Sequence, residues 1–408
     1  MIESTVLSSS LRVAPPERTL ALAEKRAREL GITRVTDITR LDRIGIPVYA
    51  SIRPSARPGS ICVNAGKGQR PIEAQVGAYM EAIEYALAEP GASRIATVKA
   101  RARDILDGAR RHDAALDLCP RLGTRIRLDE TVTCVAMHDV VTGKTALVPA
   151  ELVFFPFAAP GRERILFGSD TNGLASGNTV QEATVHALTE IIERDIRSFE
   201  ALRDTSVLVD LDSIRGPEQD LVLAVREAGL RLFVRSVPNA FGVAYFAATL
   251  VDPEAESPYF VNAGFGCHPR RSVALVRAIC EAAQSRLSFI HGGRDDLEQW
   301  YVHYQGWSEK RKRAHRSRVT ATVSRGEDRA VRFDDIEDSS DTCTSVALCE
   351  RLLVERLHAA GFTRLLRANF CRPKDELQVV RLVVPGLECM NEKSRRTGKR
   401  LRDYAQAC

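Results

Sequence analysis

The chain has 408 residues, 44% of them hydrophobic and 27% charged, which are ordinary globular values. Its 58 basic and 53 acidic residues leave a net charge of +5, too little for a nucleic-acid footprint, and no run of about 18 apolar residues occurs that would cross a membrane. The ten cysteines contain no CxxC pair and are joined by no HExxH motif or histidine cluster, so free thiols rather than a zinc site are expected. The N-terminus lacks the basic start and apolar block of a signal peptide; the expected compartment is the cytoplasm.

Residues 16–30 predict an amphipathic helix, with proline near its start and Gly31 after its end. A strand follows at Ile44 to Ser51, then a Gly-rich turn from Asn64 to Gly68 and a helix from about Ile72 to Ala88. Residues 130–155 predict two or three strands, with a hairpin turn at Gly143-Lys144. The segment SDTNGLASGNTV is dense in Gly, Asn and Ser and runs into QEATVHALTEIIERDIRSFEAL, which has helical periodicity throughout. Strands are expected at 206–211, 231–236 and 242–250, with a helix near 217–229. A second Gly-rich turn, Gly264 to His268, precedes a helix from Ser272 to Phe289. The turn-and-helix unit thus occurs three times, without a repeat of fixed period. It predicts an α/β (α+β) architecture in which helices enter a common site. Residues 300–342 have a basic part and then an acidic part, and read as a mobile insertion or a helix plus loop. A helix near 344–360 and strands near 363–370 and 378–384 lead to a charged tail. The expected organisation is 1–60 as an N-terminal helix and strand of the main fold, 61–390 as its core, and 391–408 as the tail.

Three of the helices carry groups suited to phosphate and magnesium. Mg2+ takes oxygen ligands, typically carboxylates plus substrate phosphates, and phosphoryl transfer needs charge neutralisation and basic groups nearby. Glu81 and Glu84 share one helical face. Lys67, between Gly66 and Gly68, offers a cation and open backbone amides to a phosphate, although no GxxxxGK[ST] loop is present. Asn178 stands at the entry of the next helix. There Glu182, Glu190 and Glu193 fall on one broad face at roughly 100° per residue. Stacked acids repel unless cations compensate, so this is either a surface relieved by Arg194 or a cation site. On the third helix Arg277 and Glu281 lie one turn apart, followed by Gln284 and Arg286; an intrahelical salt bridge is the plain alternative.

Five stretches, in this order, resemble the YcaO family over about residues 10–390. They are LDRIGIPVY (41–49), GKGQRPIEAQVGAYMEAIE (66–84), NGLASGNTVQEATVHALTEIIERD (172–195), RAICEAAQSR (277–286) with HGGRDD after it, and VVPGLE (383–388). The resemblance implies a single YcaO-type domain, with mixed sheets and helices around a glutamate-lined ATP site, and often a homodimer. It implies ATP and Mg2+ as cofactors and phosphorylation of a peptide amide oxygen, which a nucleophile then displaces. Carried over by motif, Glu81, Glu84, Glu190 and Glu193 would be the metal ligands. Lys67, Asn178, Glu182, Arg194, Arg277, Glu281 and Thr19 would bind the nucleotide, and Glu193, Arg194 and Arg277 would serve catalysis. Glu182 and Glu281 would ligate metal or orient a basic neighbour. Many relatives carry a lysine near the N-terminus where this chain reads SSSLRVAPPERTL; either Arg12 substitutes or that contact is lost.

Azoline-forming members typically end in a Pro-rich tail, whereas this chain ends DYAQAC with no proline after Pro385. Its compact size and PGLE ending are more similar to members that work with a TfuA partner in thioamide formation. The expectation is a peptide or protein substrate, a TfuA-like partner and a sulfur donor, with no nucleic acid and no membrane. The alternatives are an azoline-forming cyclodehydratase and a non-catalytic accessory factor for ribosomal protein modification. A kinase-like or ATP-grasp enzyme would lack its Gly-rich phosphate loop and catalytic-loop signature here. Elsewhere, Cys267 and His268 form a thiol–base pair only if neighbours in sequence face each other. His186 reads as a packing residue, Trp300 and Trp307 flank the insertion, and a turn at Pro385-Gly386 would leave Glu388 close to the site.

Overall fold

The computed structural model describes residues 5–105, 115–255, 260–390 and 395–407. They form two compact units, one drawn from 1–56, 61–83 and 205–345, the other from 57–60, 84–204 and 346–408.

In the first unit β1 (Thr5–Val6) pairs with β2 (Leu11–Arg12), and α1 (Pro16–Glu29) starts on a proline. Strands β3 (Arg34–Asp37), β4 (Val48–Ile52) and β5 (Val63–Lys67) make an antiparallel sheet. A second sheet has the order β13-β12-β11-β10-β14, from β10 (Val207–Asp210), β11 (Arg231–Ser236), β12 (Ala244–Val251), β13 (Val261–His268) and β14 (Val331–Arg332); only the β10–β14 pair is parallel. Helices α4 (Glu218–Glu227) and α5 (Arg271–His291) cover it, burying Val225, Val234, Phe246, Ala278 and Ile279. The first sheet buries Ile38, Val48 and Val63 against Leu287 of α5, so both sheets share that helix. Arg286 turns into the interior rather than pairing along its helix. Its guanidinium lies 2.9 Å from both Asp42 and Asp252, all nearly fully buried.

Residues 300–342 contain two helices, of which α6 (Glu298–Gln305) begins just before and α7 (Glu309–Val323) lies within. Trp307 packs on Tyr304 and His315, with the Arg311 guanidinium 4.2 Å from its ring centre. Trp300 stays 46% exposed. The acidic part that follows caps α5: Asp338 accepts the Arg271 amide at 2.9 Å, a favourable place for a negative charge.

The second unit is built on a sheet of order β6-β7-β15-β16-β9, with β8 beside β7. Its strands are β6 (Thr97–Arg101), β7 (Thr131–Asp139), β8 (Thr145–Pro149), β9 (Leu174–Gly177), β15 (Leu366–Asn369) and β16 (Gln378–Val383). The β7–β8 hairpin turns at Gly143, whose φ is +71°, as predicted. Helix α3 (Val180–Glu200) packs on β9 and β16, and α8 (Val346–Ala359) packs on α3. The tail is tied in. Glu388 is 1% exposed and accepts the Gly398 and Leu401 amides at 2.6 and 2.9 Å, anchoring α9 (Lys399–Ala407). The boundary between units runs through α2 (Pro71–Ala88), between Ile83 and Glu84. Among the described residues no helix is long and apolar enough to cross a membrane.

Two segments predicted as Gly-rich turns are strands, β5 and β13, and the third contains β9. The reason is packing. A Cβ on Gly66 would run into the backbone of Ala74 and Ala78; on Gly264, into Ala278 and Ala282; on Gly266, into Ala274. A Cβ on Gly177 would stand 2.7 Å from the Ala183 amide. These glycines let each strand press directly on the helix that follows it. Aligned at these junctions, α2, α3 and α5 share one pattern, Ala-x-Val-x-Ala-x-x-Glu, at Ala74–Glu81, Ala183–Glu190 and Ala274–Glu281. In α2 and α3 it widens to Glu-Ala-x-Val-x-Ala-x-x-Glu-x-Ile-Glu, at Glu73–Glu84 and Glu182–Glu193. The copies are unequally spaced, which hides them from a search for a fixed period.

Candidate functional site: carboxylates at three strand–helix junctions

In the second unit the junction is β9 to α3. Thr179 caps the helix, its hydroxyl accepting the Glu182 amide at 3.1 Å. The Glu182 carboxylate turns back and accepts from both the backbone and side-chain nitrogens of Asn178, each at 3.1 Å. This is a reciprocal cap, and it fixes where Asn178 can point. Two turns on, Arg194 lies 3.9 Å from Glu190 and 4.0 Å from Glu193, and Arg197 lies 3.8 Å from Glu193. At these separations they are loose ion pairs rather than hydrogen bonds. Glu84, also in this unit, accepts the Ser176 hydroxyl of β9 at 2.5 Å. Ser176 and Arg197 escaped the sequence reading, although Arg197 stands one helical turn from Glu193 and was open to it. His186 lies on α3 with partial burial, in a helix whose Ala183, Ala187 and Leu188 are fully buried.

In the first unit two junctions contribute. Lys67, the last residue of β5, donates to Glu281 of α5 at 2.6 Å, and Glu281 also accepts the Phe265 amide at 3.3 Å. Removal from water pushes the Glu81 carboxyl above its ordinary range, opposed by Lys67, Arg294 and the Asn64 amide. His268 is driven the other way, to about 3, by burial and then by Arg277, Arg270 and Arg12. Its neutral ring accepts the Arg270 amide at Nδ1, 3.0 Å away. A ring so hard to protonate does not serve as a base for Cys267, which is 1% exposed, and adjacent strand residues point to opposite faces. Arg12 thus contributes, with Arg270 and Arg277, to the positive field felt by that ring. The hydroxyls of Ser8 and Ser9 donate to Glu73, at 2.5 and 3.3 Å, and pin the segment that carries Arg12. Thr19 is 5% exposed within α1, and its hydroxyl donates to the Pro15 carbonyl at 3.4 Å.

Among the described residues no three carboxylate, thiol or imidazole groups could hold a metal ion unaided. Mg2+ ordinarily takes one or two carboxylates and completes its shell with phosphate and water. Glu84, Glu190 and Glu193 in the second unit are donors of that kind, as is Glu81 in the first, so the carboxylates of each unit suit the ion.

Residues 65–388 match the family model described as YcaO cyclodehydratase, ATP- and Mg2+-binding. A protein of Methanothermobacter thermautotrophicus is 34% identical over 395 residues, covering 96% of this chain and 98% of the relative. A protein from the tfuA 3′ region of Rhizobium leguminosarum bv. trifolii is 29% identical over 391 residues, covering 92% and 88%. Among solved structures, YcaO from Methanopyrus kandleri bound with AMPPCP and Mg2+ matches with a TM-score of 0.75 over 98% of both chains, at 25% identity. With the predicted mixture of helices and sheets in place and the family model spanning residues 65–388, the chain belongs to the YcaO family of ATP- and Mg2+-binding, peptide-modifying enzymes.

Proposed function

We propose that the chain activates a peptide backbone amide by ATP-dependent phosphorylation of its oxygen, and that the product is a thioamide made with a TfuA-like partner and a sulfur donor. The observation that carries this reading is the set of acids and bases at the three junctions, among which Glu281 orients Lys67, Glu182 orients Asn178 and Ser176 holds Glu84. ATP supplies the phosphoryl group, and Mg2+ offsets the charge of its phosphates. Glu84, Glu190 and Glu193 in the second unit, and Glu81 in the first, would serve as carboxylate ligands for Mg2+; Lys67, Asn178, Arg194 and Arg277 would serve phosphate oxygens. Glu281 holds Lys67 and Glu182 holds Asn178, so these two act as orienting groups. Arg12, whose charge His268 feels together with that of Arg277, would supply the cation that many relatives take from a lysine. Phosphoryl transfer draws most of its acceleration from such positioning and charge stabilisation.

Thioamide formation is favoured over ring closure by the likeness to a relative from a tfuA region. The test is to incubate the purified chain with a TfuA-like partner, a peptide encoded beside it, ATP and sulfide, and to weigh the peptide. Exchange of one oxygen for sulfur supports the reading; loss of water assigns an azoline-forming cyclodehydratase instead. Equal, negligible ATP hydrolysis by wild type and Glu193→Ala under these conditions would leave an accessory role.

A further inference from the structure

The second unit contains a cavity of about 30 Å³ that none of the junction chemistry explains. Two thiols, Cys119 and Cys389, line it together with Asn172, Arg381, Arg396 and Ile191. Both thiols are free, 1% and 5% exposed. Cys119 is held in a left-handed backbone conformation, φ +53°, which is uncommon outside glycine and marks a constrained position. Its thiol lies 3.2 Å from the Leu387 carbonyl and 3.5 Å from the Glu388 carboxylate. The neighbouring Cys119 and the Arg396 guanidinium draw the Cys389 thiol below its usual range, while Cys119 itself is raised by Cys389 and by burial. Arg396 is clamped by the Leu118 and Cys119 carbonyls and by Asp170, at 2.8 to 3.0 Å. Arg381 Nη1 and Asn172 Oδ1 are buried without a hydrogen-bond partner. An unmatched guanidinium donor at this depth is costly unless something polar or anionic occupies the space.

We propose that this cavity is a sulfur-loading site, where Cys389 accepts a single sulfane sulfur atom and Cys119 discharges it as hydrosulfide. A cavity of this size has room for a sulfur atom. In the loading step the Cys389 thiolate attacks a terminal sulfur of a polysulfide; that S–S bond breaks and the shortened polysulfide leaves as an anion. Arg396, with Arg381 beside it, stabilises the persulfide that forms. In the discharge step Cys119, its proton passed through Glu388 to the outer sulfur, attacks the inner sulfur of Cys389. Hydrosulfide leaves, and the two cysteines remain as a disulfide that a dithiol reductant returns to thiols. Reactivity of this kind requires a thiolate held by nearby cations, and the adjacent second cysteine supplies the exchange partner. The proposal rests on the thioamide reading, since only that chemistry consumes sulfur.

The experiment treats the full chain with inorganic polysulfide, traps thiols by alkylation without reductant, and maps cysteine-bearing peptides by mass. Wild type should carry one added sulfur on Cys389 and, with time, a Cys119–Cys389 disulfide. Cys119→Ser should hold the persulfide longer, and Cys389→Ser should lose the label at this site. Labelling confined to the partly exposed Cys62 and Cys371 overturns the proposal, and the wild-type map alone decides that if a variant fails to fold. A second arm measures thioamide formed with polysulfide or with free sulfide. Cys389→Ser should lose product from polysulfide and keep product from sulfide; equal product from both overturns the sulfur site and leaves the function standing. A Cys389 persulfide with no thioamide from either source does the reverse.

Discussion

Residues 73–84 and 182–193 are two copies of one twelve-residue pattern, each following a strand that a glycine presses onto the helix, yet their acids are compensated differently. In α3 compensation is local: Arg194 and Arg197 follow Glu190 and Glu193 on the same helix, and Glu182 folds back on Asn178 at its own N-terminus. In α2 the last turn has no basic residue. Glu73 accepts hydroxyls of serines far up the chain at one carboxylate oxygen, while its other oxygen is buried without a hydrogen-bond partner; Glu81 feels Lys67 and Arg294, and Glu84 is held by Ser176. The third copy, in α5, keeps only Glu281. The place of Glu84 is taken there by Gln284, which donates to the Ala65 carbonyl at 2.6 Å. One motif thus supplies a self-contained cluster, a cluster completed by distant segments, and a single acid that holds a lysine.

If the two full copies are equivalent in function, Glu84→Gln and Glu193→Gln should do equal damage. Each is expected to lower ATP turnover at least about a hundredfold, because a metal ligand is worth several kcal/mol at the transition state. A large loss in one and a trivial loss in the other would break the equivalence. The glycines come next. Gly66→Ala and Gly177→Ala should each cost about 1–3 kcal/mol of overpacking, read as a lower urea midpoint at unchanged slope. Gly66→Ala should be the worse of the two, since its methyl group would meet helix backbone more closely. The first glutamates should then separate the copies. Glu182→Gln, which weakens the grip on Asn178, is expected to slow ATP turnover by roughly tenfold, the loss of about one charge-assisted hydrogen bond. Glu73→Gln should act mainly on stability, because its partners are Ser8 and Ser9.

The smallest effect is a pH dependence confined to α2. Glu81 has a raised folded-state pKa, so its neutral form stabilises the fold below the unfolded value and that contribution is lost as pH rises through the folded value. A Mg2+ ion needs the carboxylate, and displaces that proton on binding. Affinity for Mg–nucleotide should therefore fall, by up to about tenfold per pH unit, as pH drops through the raised Glu81 range. Glu81→Gln should flatten the profile there. A wild-type profile that bends only in the ordinary carboxylate range would place Glu81 outside the ion's shell.

Helix positions were legible because their apolar periodicity is strong: 72–88 against Pro71–Ala88, and 272–289 against Arg271–His291. Glycine was misread because composition alone does not distinguish a turn from a strand pressed on a helix. The acids of α3 were legible from spacing, since their partners lie one turn away. The Lys67–Glu281 pair was not, because 214 residues separate its members. The charged tail hid its structural role for the same reason. Arg396 and Arg400 look like solvated bases in sequence, but they meet Asp170 and Asp195 at 2.8 and 2.6 Å.

The most direct test of the account is calorimetric titration of the chain with AMPPCP, with and without Mg2+, in wild type, Glu84→Gln and Glu193→Gln. The account predicts Mg2+-dependent binding by wild type and its loss in both variants, with their unfolding midpoints retained. Binding of Mg–AMPPCP by both variants at wild-type affinity would contradict it.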